Sequence, residues 1–139
     1  MRDNSLNRSR FFLALAVCTG VAVGVASRAQ NTLSEADLVG VWQGAEITGD
    51  LVISGEVMFF PDGHYQRSHV LGQLMTMTSG PYRVAENWVH FAVDDYEPKW
   101  YAGVAQYPPP SETWVLEQFD GVQLSGSVGI TRIDYHRVQ

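Results

Sequence analysis

Beyond residue 38 the chain consists of short runs rich in Val, Ile, Thr and aromatic residues, punctuated by Gly, Pro, Asp and Asn. No stretch keeps a 3.6-residue apolar period. The pattern predicts strands near Leu38 to Thr48, Leu51 to Phe60, His64 to Leu71, Met75 to Ala85, Trp88 to Val93, Thr113 to Phe119, Val122 to Ser127 and Ile130 to Val138. The punctuation has a mechanism: Gly49-Asp50, Pro61-Asp62-Gly63, Glu86-Asn87 and Asp120-Gly121 supply the preset or positive φ that tight hairpins need. Strands joined in succession by hairpins run antiparallel and up-and-down. About eight of them close most economically into an all-β barrel with no free edge.

Alternation within each strand assigns faces. Val89, Phe91 and Val93 make an all-apolar side that should point inward, opposite Trp88, His90 and Ala92. Trp114, Leu116 and Gln118 share a face that points inward if Glu117 is solvated; Ile133, Tyr135 and Arg137 share another, as do Tyr82 and Val84. Two segments break the hairpin rhythm. Thr32 and Glu35 have capping-box spacing, which predicts a short N-terminal helical turn before Leu38. The connection from Asp94 to Glu112 contains Pro98 and Pro108-Pro109-Pro110, which favour an extended path. It reads either as a rigid connector or as a rim carrying Trp100, Tyr101 and Tyr107 over one barrel mouth.

Charge divides the chain into unlike parts. Arg2, Arg8 and Arg10 precede an uncharged run from Phe11 to Ser27, and Ser27-Arg28-Ala29 places small residues at both key positions of a cleavage site before Gln30. That is the layout of a secretory signal peptide. The run falls short of the ~20 residues of a spanning helix. Cys18 follows Val17, too large a residue to precede a lipidated cysteine, and Arg8 and Arg10 are not adjacent as a twin-arginine signal requires. Residues 1–29 are therefore expected to be removed, leaving 30–139 as one periplasmic or secreted domain without a membrane span. The first 29 residues hold four of the nine basic residues and one of the fifteen acidic ones, so the remaining 110 carry five against fourteen, a formal charge of −9. No cysteine is left in that domain, so its apolar core alone must hold it. Its cations form no cluster, which argues against a nucleic-acid partner.

Gly40-Val41-Trp42, after a short helical turn and at the head of the first strand, resembles the glycine-x-tryptophan signature of lipocalins and the wider calycin superfamily. Asp95-Tyr96 is similar to the core of the second lipocalin motif, and Arg137 to the arginine of the third. The resemblance implies a lipocalin-like barrel in which Trp42 packs across the closed end beneath Arg137, a structural pairing and not a ligand contact. Phe59-Phe60-Pro61-Asp62-Gly63-His64-Tyr65, followed by Gly80-Pro81-Tyr82-Arg83-Val84, looks like the short lipocalin-like domains of secreted bacterial proteins.

The chain's four tryptophans and six tyrosines can fill such a barrel or wall a pocket for an apolar, planar ligand. The candidate pocket residues are Tyr65, Tyr82, Phe91, Trp114 and Tyr135. His64, His69, His90 and His136, even with Met75 and Met77, lack a recognised ligand spacing, and Asp94, Asp95 and Glu97 read as a solvated acidic turn. No metal or other cofactor is expected. Neither a nucleophile elbow, a phosphate loop, a zinc-protease helix nor a dinucleotide fingerprint occurs. Glu46, Glu56 and Glu117 lie in predicted strands, and whichever faces inward would be an acid–base candidate. The leading expectation is an extracytoplasmic domain that binds a small apolar or amphipathic molecule without catalysis. The alternatives are an interaction module whose acidic surface and Trp100 to Tyr107 loop engage a basic protein partner, and a small barrel cyclase or isomerase.

Overall fold

In the computed structural model, which describes residues 32–138, the alternating runs form a closed, eight-stranded, up-and-down antiparallel barrel. The expected leader, residues 1–29, lies outside the described residues. A single turn of helix, α1 (Glu35–Leu38), precedes β1 (Gly40–Thr48), β2 (Leu51–Phe59), β3 (His64–Leu71), β4 (Leu74–Ala85) and β5 (Trp88–Phe91). Then come three short strands, β6 (Asp95–Glu97), β7 (Trp100–Tyr101) and β8 (Val104–Ala105), and finally β9 (Glu112–Phe119), β10 (Gln123–Val128) and β11 (Thr131–Arg137). The wall runs β1-β2-β3-β4-β5-β9-β10-β11 and closes where β11 pairs with β1, from Trp42 opposite Arg137 to Ile47 opposite Arg132.

Four details differ from the sequence reading. Leu38 ends α1 instead of opening β1, and its fully buried side chain plugs one end of the barrel. The cap sits two residues later than the Thr32 and Glu35 pair: the Asp37 carboxylate accepts from the Ser34 amide at 2.8 Å and from its hydroxyl at 2.7 Å. Both pairs have the right spacing, and the later one is used in the turn that delivers Leu38 to the core. In β9 the alternation breaks, since Gly126 faces Leu116 while Ser125 faces Gln118, leaving Glu117 as a bulge. The extra residue turns Gln118 outward and swings Phe119 against Trp42, with ring centroids 6.0 Å apart.

The proline-containing connection is the fourth difference, because it carries structure of its own. β6 continues the line of β5 along β4, with Ser79 opposite Asp95, and the Tyr96 hydroxyl donates to the Gln106 carbonyl at 2.9 Å. β7 and β8 form a small hairpin that leaves Trp100, Tyr101 and Val104 exposed, with Tyr107 exposed just beyond it. The Lys99 ammonium stands 3.7 Å from the Tyr96 ring centroid.

The end nearest α1 is closed by polar contacts to backbone. Trp42 is fully buried, its indole N–H donates to the Leu38 carbonyl at 2.8 Å, and the Arg137 guanidinium lies 4.5 Å from its ring centroid. Arg137 also donates to the carbonyls of Gly121, Val39 and Asp37, tying the last strand to the first turn and to the β9–β10 hairpin. Lysine cannot reproduce that planar, multidentate arrangement. Arg137→Lys should cost about 1–2 kcal/mol of unfolding free energy in urea titration, the value of one or two lost charged hydrogen bonds. An unchanged midpoint would show that the closure is ornamental.

Candidate functional site

Up-and-down order sends the turns at 49–50, 72–73 and 129–130, with the long connection 92–111, to the end opposite α1. Among the described residues no helix covers that end. Inward positions below it are aromatic. Tyr82 meets Phe59 edge-on at 4.8 Å, Phe59 neighbours Phe91 at 5.8 Å, and Phe91 meets both Tyr65 and Trp114 at 4.8 Å. Trp114 in turn lies 5.2 Å from Tyr135. The five residues proposed from sequence to line a pocket, Tyr65, Tyr82, Phe91, Trp114 and Tyr135, are thus all buried inside the barrel and joined, with Phe59, into one continuous aromatic stack. They pack chiefly against one another.

Toward this end, opposite α1, the interior becomes charged. Arg67, its side chain 8 % exposed, donates through Nη2 to Glu112 Oε2 at 2.6 Å and holds Nη1 3.9 Å from Glu46 Oε1. Its guanidinium lies 5.3 Å from the Phe91 centroid and 5.7 Å from that of Trp114, so the charged layer rests on the aromatic stack. Glu46 Oε1 also meets His69 Nε2 at 2.8 Å and accepts from the Tyr135 hydroxyl at 3.3 Å, and Glu112 Oε1 accepts from the Trp114 indole at 3.2 Å. His69 and Glu112 are partly open to solvent from this end, at 19 % and 22 %.

Burial acts to raise the Glu46 pKa, but the His69 hydrogen bond and the Arg67 charge together outweigh it and hold the carboxyl below its ordinary value. Glu46 is therefore ionised at neutral pH and acts as a fixed negative charge. Burial opposes the Arg67 charge too, yet the facing Glu112 and Glu46 carboxylates raise its pKa above the usual arginine value. Burial, reinforced by Glu46, pushes the Tyr135 hydroxyl far up, so it stays a donor.

Not every polar group is paired. Arg67 Nε and Nη1 are buried without a hydrogen-bond partner among the described residues, and the Tyr65 and Thr78 hydroxyls, which make no bond of normal geometry, lie close enough to act on each other. Thr78 stands directly across from Arg67 in the β3–β4 ladder, and Tyr65 precedes Arg67 by two positions on the same inward face. Unmatched buried donors cost roughly 1–3 kcal/mol each, so the layer around Arg67 holds hydrogen-bonding capacity that the fold does not use.

Of the three acid–base candidates from sequence, only Glu46 faces inward. Glu56 accepts from Gln43 on the outer wall at 2.7 Å, and Glu117 is the exposed bulge residue. Arg67, Thr78 and Glu112 are not among the candidates from sequence, and His69 is among them only as a metal ligand. The signal was present in β3, where Tyr65, Arg67 and His69 share parity and two charged or titratable side chains alternate with solvent-facing residues. Among the described residues no group of three or more His, Cys, Asp and Glu is disposed to hold a metal ion.

Space for the cluster depends on Gly55, whose backbone lies beneath it. A Cβ there would stand 2.4 Å from the Tyr135 hydroxyl and 3.1 Å from His69 Cδ2. Gly55→Ala should cost about 1–3 kcal/mol in thermal or urea unfolding, since the Tyr135 to Glu46 hydrogen bond must shift to admit the methyl. Retention of full stability would mean that the end opposite α1 is loosely packed.

The chain matches no family model, no curated protein and no solved structure.

Proposed function

We propose that this barrel is an exported, lipocalin-like domain that holds a small apolar or amphipathic molecule at its open end without transforming it. The observation that carries the reading is Arg67: a guanidinium buried on an aromatic floor, with Nε and Nη1 lacking hydrogen-bond partners. A few convergent polar groups above an apolar wall are the usual make-up of a small-molecule site. Export is supported by the arginine-led, uncharged N-terminal run and by Ser27-Arg28-Ala29. Against catalysis speaks the state of Glu46, whose Oε1 is already engaged by His69 and Tyr135 and whose basicity is reduced.

Native mass spectrometry of protein exported by its own host tests the reading, with a bound small molecule of constant mass as the expected result. Protein that is always free of ligand, with the charged layer sealed by side chains in a high-resolution crystal structure, would overturn it. A second reading is favoured by the exposed Trp100, Tyr101, Val104 and Tyr107 on the β7–β8 hairpin and its flank, beside an acidic surface suited to a basic partner. Replacing residues 100–107 by a Gly/Ser linker should then abolish capture of that partner, and unchanged capture would count against it.

A further inference from the structure

Independently of what the barrel interior holds, we infer that the β7–β8 hairpin and its proline flank dock the protein on a zwitterionic lipid surface, entering the interface without crossing it. From Trp100 to Ser111 the chain carries no charged residue, in a domain with five basic and fourteen acidic ones. Every residue of that run except Gln106 is exposed, Trp100 at 68 % and Tyr107 at 89 %. An exposed loop of an acidic domain is expected to share its charge. This one presents Trp100, Tyr101, Val104 and Tyr107 instead, and Trp and Tyr are the residues enriched where membrane meets water.

Contact with lipid favours a segment that satisfies its own backbone polar groups. Trp100 pairs with Ala105 and Tyr101 with Val104, the Gln106 amide donates to the Lys99 carbonyl at 2.8 Å, and the Gln106 side chain turns its own N–H to the Val104 carbonyl at 3.0 Å. Pro108-Pro109-Pro110 have no N–H to desolvate. At the tip, Ala102 and Gly103 have φ of 48° and 79°, a two-residue turn that Asn-Gly or Asp-Gly fits best. Alanine there costs turn stability and keeps the tip apolar. Other turns of the same end add to the surface, since Leu51 beside residues 49–50, Leu71 beside 72–73 and Ile130 within 129–130 are all exposed. Contributions from four separate turns make a rim, which a broad, deformable surface meets more fully than a single peptide does. Asp94, Asp95 and Glu97 flank the hairpin, and the Lys99 ammonium is held by Asp95, so anionic headgroups are repelled.

Protein exported by its own host is floated with phosphatidylcholine vesicles, and its tryptophan emission is followed with vesicles whose acyl chains carry bromine, a quencher. Co-flotation with phosphatidylcholine should weaken when phosphatidylglycerol is added, and the quenching should disappear in Trp100→Phe. Quenching reports the hairpin, because Trp42 and Trp114 are buried inside the barrel. Two variants differ by one charge while both suit the turn: Ala102→Asn should stay near the parent, and Ala102→Asp should partition about tenfold less than Ala102→Asn, the cost of carrying a carboxylate toward lipid. Trp100→Ala and Tyr107→Ala should each lower partitioning about tenfold, and the unfolding midpoint should not move because neither side chain belongs to the core. Failure to float with phosphatidylcholine, equal partitioning of the two Ala102 variants, or quenching that survives Trp100→Phe each overturns the inference. Flotation only with phosphatidylglycerol overturns it too. Capture of a basic protein through the hairpin, with no binding to vesicles, overturns it in favour of the protein partner.

Discussion

Arg67→Met is expected to remove about 3–5 kcal/mol of folding stability, the largest effect of a single substitution in the charged layer. Methionine approximates the volume and leaves the aromatic floor covered, so the loss is not chiefly one of packing. It comes from Glu46 and Glu112, which would keep buried or half-buried carboxylates without the cation between them. A domain of this size unfolds with roughly 5–15 kcal/mol, and the midpoint should fall by well over ten degrees. The triple variant Arg67→Met, Glu46→Gln, Glu112→Gln separates causes, since it deletes the two orphaned charges while keeping their shapes. It should recover most of the loss, and the non-additivity is the signature of one coupled cluster. A single substitution costing under about 1 kcal/mol would show that water enters freely and that the layer is a solvated mouth.

The same cluster shows where sequence reasoning succeeded and where it stopped. Period-two alternation is a local property, so the strands and the inward faces of Val89, Phe91, Ile133 and Tyr135 were legible from residues one or two apart. Trp42 and Arg137 were picked out by resemblance and are directly opposed in the β1–β11 ladder. The charged layer is a long-range product. Glu46, Arg67 and Glu112 come from β1, β3 and β9, and nothing near Arg67 in sequence announces that its partner lies 45 residues away. An arginine in a strand with serine and glutamine neighbours reads as surface until closure of the barrel fixes which face is inside. The bulge at Glu117 was illegible for a related reason: it is a register shift between two strands, and neither strand encodes it alone.

Alkaline pH should unfold the domain from the inside, because the three buried tyrosines all resist ionisation. Burial raises the pKa of Tyr65, Tyr82 and Tyr135 above the ordinary value of 10.0, most strongly for Tyr135, which Glu46 also disfavours as an anion. Below pH 10 both folded and unfolded chains keep these protons and stability is indifferent to them. Above it the unfolded chain releases protons that the native state retains, so stability falls as pH rises. At pH 11 each tyrosine that stays protonated in the fold costs about 1.4 kcal/mol, giving between about 1.4 and 4 kcal/mol according to how far Tyr65 and Tyr82 follow Tyr135. Glu46 works on the acid side with the opposite slope: its pKa is lowered from 4.5, so its stabilisation is present above that value and lost as pH falls through the lower folded one. The measurement is tyrosinate absorbance followed together with near-ultraviolet circular dichroism, whose aromatic signal depends on the packed stack from Tyr82 to Tyr135. Ionisation of the buried tyrosines and loss of that signal should coincide in one cooperative step. Tyr135→Phe, which leaves one proton fewer to release, should flatten the decline of stability above pH 10. Buried tyrosines that ionise while the dichroism stays native would mean that solvent already reaches the stack, and the apolar floor beneath Arg67 would then have no basis.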